Sequence, residues 1–186
     1  MRIIRKHEQK TTLWSGGKTT ELFIYPEGSS YVERNFQFRI STASIETEAS
    51  EFSHLPGFKR HLMILDGTLK IHHENHYQKT LNKLESDQFM GDWKTSAEGK
   101  VIDFNLMCDN NFDGIIKAVQ IEKNNHYSFN TDSDFTAFYA NNKSVFHNSI
   151  LLNEGDFLIT NEKNSYSIFS QEKANLIIIN INSLKL

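Results

Sequence analysis

Helical periodicity is nearly absent from this chain, whereas short runs rich in Phe, Ile, Thr and Tyr recur throughout, each closed by Gly, Asn, Asp or Ser. That pattern favours strands over helices, and only 7 of the 186 residues are Ala. Strands are predicted near 21–25, 36–46, 60–73, 76–82, 101–108, 115–122, 135–140, 149–152, 156–160, 166–169 and 175–181. Pro26 and Pro56 fall in predicted loops, and the best helical candidate is a short turn over residues 12–16. Many short strands with no helix between them imply an all-β sandwich or barrel.

Length is a soft prior for one domain or two small halves. Glu85-Ser-Asp-Gln-Phe-Met-Gly-Asp and Asn153-Glu-Gly-Asp-Phe-Leu are faint echoes of one another, each a turn cluster followed by a further turn and a last strand. The loop-like segment 109–114 is a natural seam. The expected division is therefore an N-terminal half over 1–110, which holds the informative motifs, and a C-terminal half over 111–186.

The formal charge of −3 is spread without basic blocks, which argues against a nucleic-acid or acidic-membrane partner. The longest apolar run, 176–179, is far below the roughly 20 residues of a membrane-spanning helix. Cys108 is the single cysteine, and the first residues lack the apolar core of a secretion signal. A cytoplasmic location is the expectation. Among the cations, 15 are Lys and only 5 Arg, so an Arg set between apolar residues points to a use for its planar fork. Arg39 and Arg60 are such residues.

Read as a strand, 36–46 places Phe36, Phe38 and Ile40 on one face and Gln37, Arg39, Ser41 and Ala43 on the other. The run 101–107 does the same, with Ile102, Phe104 and Leu106 opposite Asp103, Asn105 and Met107. Two readings stay open. Arg39 and Asp103 form an ion pair or meet water, or Arg, Ser, Asp and Asn converge in a barrel mouth as a small-molecule site.

Trp14-Ser-Gly-Gly-Lys-Thr-Thr-Glu, Phe38-Arg-Ile-Ser-Thr-Ala, Phe52-Ser-His-Leu-Pro-Gly-Phe-Lys-Arg, Phe89-Met-Gly-Asp and Asp103-Phe-Asn-Leu-Met, taken in order, resemble the HutD/Ves family. The resemblance implies a bicupin, two double-stranded β-helix (jelly-roll) barrels in one chain. It also implies an association, in some bacteria, with histidine utilisation, whose intermediates are acidic. Most cupins bind a metal through G-x5-H-x-H-x(3,4)-E-x6-G and G-x5-P-x-G-x2-H-x3-N. With the last Gly of the first motif on Gly67, the ligand Glu position falls on Arg60. With the second on Gly91 and Gly99, Ala97 replaces Pro and the His position falls on Ile102, beside Asp103. No register restores the ligand set, so neither metal nor cofactor is expected.

A guanidinium where a metal would sit suits a small carboxylate. The alternative is that Arg60 pairs with Asp103, Asp66 or Glu51. The expected site comprises Arg39, Ser41, Arg60, His61, Asp103, Asn105 and Trp14, with the Trp14 segment closing one side or forming a packed flap. His54 and His61 flank the Pro56-Gly57 turn and approach the pocket in this reading. His72 and His73 point to opposite faces of a hairpin whose tip is Glu74-Asn75, and the His cluster there reads as a solvated loop.

No catalytic constellation stands out. Cys108 lacks an electropositive setting, and Asp103 beside Arg60 would be depressed into a poor base near neutrality. Trp14-Ser-Gly-Gly-Lys lacks phosphate-loop spacing. The leading expectation is a small anionic metabolite as partner, in sensing or regulation. A metal-free isomerase or hydrolase, with His54 or His61 beside Arg60, is the second. A structural module with a filled barrel is the third. Exposed strand edges make a cupin-like homodimer reasonable.

Overall fold

The computed structural model describes residues 1–184 and is built almost entirely of strands. In chain order these are β1 (Arg2–Ile4), β2 (Lys10–Trp14), β3 (Gly17–Tyr25), β4 (Phe38–Ile45), β5 (Ala49–Glu51), β6 (Phe58–Gly67), β7 (Leu69–His73), β8 (Tyr77–Leu81), β9 (Ser86–Met90) and β10 (Thr95–Glu98). They continue with β11 (Val101–Asp109), β12 (Phe112–Ile121), β13 (Asn125–Asn130), β14 (Phe135–Ala140), β15 (Val145–His147), β16 (Ile150–Leu152), β17 (Phe157–Thr160), β18 (Ser165–Ser170) and β19 (Ala174–Ser183).

The chain divides into two units. One holds Lys10–Asp113 with Leu184; the other holds Met1–Gln9 and Gly114–Ser183. The first nine residues, grouped with the N-terminal half in the sequence expectation, join the second unit because β1 pairs with β17. Arg5 also donates to the Asp156 carboxylate at 2.7 Å, where the Lys6 backbone N–H adds a second bond.

Each unit is a double-layered jelly roll. In the first, one sheet runs β2-β3-β4-β11-β6-β9 and the other β5-β10-β7-β8. In the second, the sheets run β1-β17-β14-β19-β12 and β13-β18-β15-β16. Without β1, β2 and β3, the eight strands from β4 to β11 and the eight from β12 to β19 share one order of pairing. The fold is thus all-β and bicupin.

Burial explains the local choices. On β7 the pattern Leu69, Ile71 and His73 buried with Lys70 and His72 exposed is the period-two signature of a sheet with one wet face. β17 is buried on both faces and β6 nearly so, and β17 and the 62–65 stretch of β6 are nearly continuous apolar runs. Ile45, Leu62, Ile64, Leu69, Ile71, Leu81, Phe89, Ala97 and Val101 form the core between the two sheets of the first unit.

Several expectations change. Residues 12–16 are not a helical turn: β2 and β3 form a hairpin around Ser15-Gly16, with Thr12 opposite Thr19 and β-branched side chains that suit strands. The 60–73 run breaks at Gly67, whose positive φ of 89° and close approach to the Lys100 carbonyl exclude a side chain. There a Cβ would lie 2.7 Å from that oxygen. β5, β9, β10 and β13 were absent from the expected strands because their sequences are polar; ladder pairing, not local propensity, makes them strands.

Candidate functional site

The antiparallel ladders fix which side chains share a face. Along β4, Arg39, Ser41 and Ala43 stand directly opposite Met107, Asn105 and Asp103 on β11. β11 in turn sets Met107, Asn105 and Asp103 against Arg60, Leu62 and Ile64 on β6. Leu62 and Ile64 belong to the core, so this face is the interior of the first barrel. The alternation holds along Phe38–Ala43 and along 102–107, and the face with Arg, Ser, Asp and Asn is the inner one. Phe36, expected beside Phe38, precedes the strand and packs instead with Phe58 and Met107 on the Arg39 side.

Arg39, Ser41, Arg60, Asp103 and Asn105 are therefore brought together, and all are buried. Arg39 does not pair with Asp103. Its Nε donates to Glu21 Oε2 at 2.7 Å, Nη1 donates to Ser41 Oγ at 3.2 Å, and its guanidinium lies 4.7 Å from the Tyr31 ring centre. Glu21 can do this because β3 places it opposite Ser41, on the same inner face.

Arg60 is held differently. Its guanidinium carbon lies 4.8 Å from the Phe52 ring centre and 5.3 Å from that of Phe89, an arrangement worth roughly 2 kcal/mol when desolvated. Nη2 donates to Asn105 Oδ1 at 3.3 Å, and the buried Nε has no hydrogen-bond partner. Among the described residues no carboxylate lies within ion-pairing distance of it: Asp66 instead pairs with Lys83 at 3.0 Å, and Glu51 is exposed. The neutral Asn105 amide links Arg60 to Asp103, since its Nδ2 donates to Asp103 Oδ1.

Burial dominates the titration of this pair. It lowers the Arg60 guanidinium to about 10, with Tyr31 and Asp103 opposing and Arg39 reinforcing, so Arg60 stays a cation at neutral pH. It pushes the Asp103 carboxyl up to about 7, against the pull of Arg60, the Ala43 backbone N–H and Asn105. The expectation that Arg60 depresses Asp103 is thus reversed, because desolvation outweighs a cation that does not reach ion-pairing distance.

Two expected members lie elsewhere. His61 follows Arg60 on β6 and so points to the opposite face, where Nε2 meets Asp113 Oδ1 at 3.2 Å. Burial lowers its pKa despite Asp113. Trp14 pairs with Gly17, which stands opposite Ile45. Ile45 is six residues along β4 from Arg39, about 20 Å of strand, so Trp14 does not close this site; its ring covers Gly16. His54 is exposed.

Three groups escaped the sequence reading. Glu21 and Tyr31 carry no local pattern, and only the ladder and the loop before β4 bring them to Arg39. The third is His73, read as part of a solvated loop but fully buried. The β7–β8 hairpin does turn at Glu74-Asn75, and His72 and His73 do face opposite ways. His73 Nδ1 meets Thr95 Oγ1 at 2.8 Å, and Nε2 meets Asp87 Oδ2 at 3.1 Å. The inward strand parity of Leu69 and Ile71 was the available signal. Cys108 is buried, and burial with Asp113 and Asp109 pushes its thiol to about 12, which makes it inert.

Cupins usually hold a metal, and the inner face bears on whether this one can. Asp103 faces inward while Ile102, the position matching a ligand His, is exposed, with a bulge at this point of the β6–β11 ladder. Two guanidiniums, one of them tied to Glu21, beside the Asp103 carboxyl do not make a cation site. Among the described residues no group of three or more His, Cys, Asp or Glu is arranged to hold a metal. The residues do not fit the group.

The HutD family model matches residues 6–178. The chain belongs to the HutD family. It is similar over 99% of both chains to HutD from Pseudomonas fluorescens SBW25, solved under a formate condition, with 19% identity and a TM-score of 0.80. A conserved protein of unknown function, PA5104 from Pseudomonas aeruginosa PAO1, matches over 98% of both chains with 18% identity and a TM-score of 0.84. The bacterial pirin YhhW from Escherichia coli, in complex with nickel(II), shares the fold at 8% identity, with a TM-score of 0.74 over 96% of this chain and 97% of its own. No curated protein matches in sequence. Among the described residues of this HutD-family chain no helix is long and apolar enough to cross a membrane.

Proposed function

We propose that this HutD-family cupin works without a metal and binds a small carboxylate on the inner face of the first barrel, as a cytoplasmic sensor or regulator. Arg60 carries the reading. A guanidinium removed from water costs several kcal/mol unless paired, yet this one has aromatic faces, one neutral amide and a buried Nε with no acceptor. Its unspent donors match the parallel oxygens of a carboxylate. Arg39, already tied to Glu21, shapes the site, and Ser41 and Asn105 orient the ligand. The family's association with histidine utilisation supports acidic metabolites as first candidates.

The test is thermal-shift screening and calorimetry with formate, urocanate, N-formylglutamate, formiminoglutamate and histidine. At least one acid is expected to stabilise the protein, and Arg60→Ala is expected to weaken that acid at least tenfold. Equal affinity in the variant would refute the assignment. An enzymatic reading draws on one observation: Asp103, pushed up to about 7, is poised for proton transfer beside Arg60. His61 cannot supply the base, being on the other face. Conversion of a bound acid, lost in Asp103→Asn, would favour that reading.

A further inference from the structure

Resting on the carboxylate-binding reading, we infer that the site accommodates one negative charge: it takes a small monocarboxylate together with a proton carried by Asp103, and discriminates against dianions. The charges facing Asp103 can be counted strand by strand. From β3 comes Glu21 and from β4 Arg39, and these two neutralise one another at 2.7 Å. From the loop before β4 comes Tyr31, which carries the Arg39 guanidinium over its ring. From β6 comes Arg60, the cation of the cluster for which no carboxylate among the described residues lies in ion-pairing reach. On β11 itself Asn105 is neutral. On β9 the inward Asp87 is engaged elsewhere, by His73 and the Tyr77 hydroxyl at 3.1 Å each and by the Lys79 ammonium of β8 at 3.5 Å, which balances its charge.

The balance is one uncompensated cation and one buried carboxyl. With Asp103 ionised the cluster is neutral, and an incoming anion would leave two carboxylates in a desolvated space beside a single guanidinium. With Asp103 protonated the cluster carries +1, which one carboxylate cancels. Like charges that close do not both ionise, so the proton goes to one of them. Small carboxylic acids are stronger acids than a buried Asp, so the protein keeps the proton. Solvent supplies it, the Asp103 carboxylate becomes a carboxylic acid, and the bound ligand stays an anion. The existing bonds allow this: Asn105 Nδ2 and the Ala43 backbone N–H donate to the carboxyl, and each carboxyl oxygen has a second lone pair on which the proton can sit. A second negative charge on the ligand has no cation to meet, because Arg39 is already matched. Burial sets the direction of the linkage, since Asp103 is already raised to about 7 before any anion arrives.

The experiment is calorimetric titration of the whole protein with formate, acetate, succinate and sulfate at pH 5.5 and 8, each in two buffers of different ionisation enthalpy. Formate and acetate are expected to bind at pH 5.5 with little proton uptake. At pH 8 they should bind at least fivefold more weakly, with uptake approaching one proton, since a one-proton linkage changes affinity by at most about tenfold per pH unit. Succinate and sulfate should bind at least tenfold more weakly than acetate. Asp103→Asn should bind formate with pH-independent affinity. PH-independent binding by the wild type without proton uptake, or dianions binding as tightly as acetate, overturns this inference and leaves carboxylate binding standing. Loss of formate binding in a folded Asp103→Asn also overturns it. If that variant does not fold, the paired-buffer titration of the wild type decides alone. No binding of any anion at either pH removes the carboxylate reading itself.

Discussion

The two units repeat the same eight-strand order, yet their interiors differ in kind. Between its sheets the unit of residues 114–183 packs Val119, Phe138, Leu158, Tyr166, Ile168 and Ile178, with Phe129 partly buried against them. Its Phe138 ring lies 5.2 Å from Tyr166 and 6.0 Å from Phe129. Where polar side chains enter the corresponding ladder they are neutral, as in the 3.3 Å bond from Thr136 Oγ1 to Asn180 Oδ1. On the matching strands of residues 10–113 stand Arg39, Arg60 and Asp103. Since one copy of the fold closes its inter-sheet core over neutral and aromatic side chains, with its buried Asp156 matched by Arg5, the jelly roll itself does not demand an unmatched buried charge. Charge in the other copy costs desolvation, and its retention there is what ties this interior to a ligand.

The sharpest way to break that contrast is Phe138→Ala. Removing a fully buried ring should cost about 3–5 kcal/mol through lost burial and a residual cavity, measured by chemical denaturation. The folded variant should keep wild-type affinity for carboxylates; a lost response would show that the interior of residues 114–183 is part of the binding function.

Asp103→Asn gives an intermediate effect, opposite in sign at high pH. The folded carboxyl sits at about 7, above its usual 3.8. The unfolded chain therefore releases this proton first, and stability from this group is complete below about pH 4 and lost as pH rises to about 7. The variant should melt higher than wild type at pH 8 and close to it at pH 4. Equal melting temperatures at pH 8 would show that Asp103 is not desolvated.

Glu21→Gln is the mildest change. The ion pair is partly solvated on the Glu21 side, so denaturation should register about 1 kcal/mol or less. Specificity should move more, because Arg39 then lacks its counter-charge. Succinate should gain on acetate, and an unchanged ratio would separate Arg39 from the charge balance of the site.

Much of the site was legible before the fold. The alternation in Arg39-Ile-Ser41 and Asp103-Phe-Asn105 is a property of local sequence, and the scarcity of Arg marked Arg39 and Arg60. His61 was misplaced although its adjacency to Arg60 already put it on the other face. Glu21 and Tyr31 were invisible for a different reason: they reach Arg39 only through a hairpin laid along β4 and a loop folded over it. Trp14 was a motif residue, but the hairpin register carries it to the far end of the sheet. Polar strands such as β9 exist because β6 offers an unpaired edge, and no propensity encodes that.

Sequence by itself determined the all-β character, turns such as Glu74-Asn75 and which side chains of a strand share a face, because these depend on periods of two and on local backbone preference. Only the tertiary structure decided which face became the interior, that Arg39 is neutralised by Glu21 while Arg60 is not, and that Asp103 is held near neutrality. Those outcomes depend on burial and on distances between strands far apart in the chain, and desolvation acts on a charge only once the barrel has closed around it.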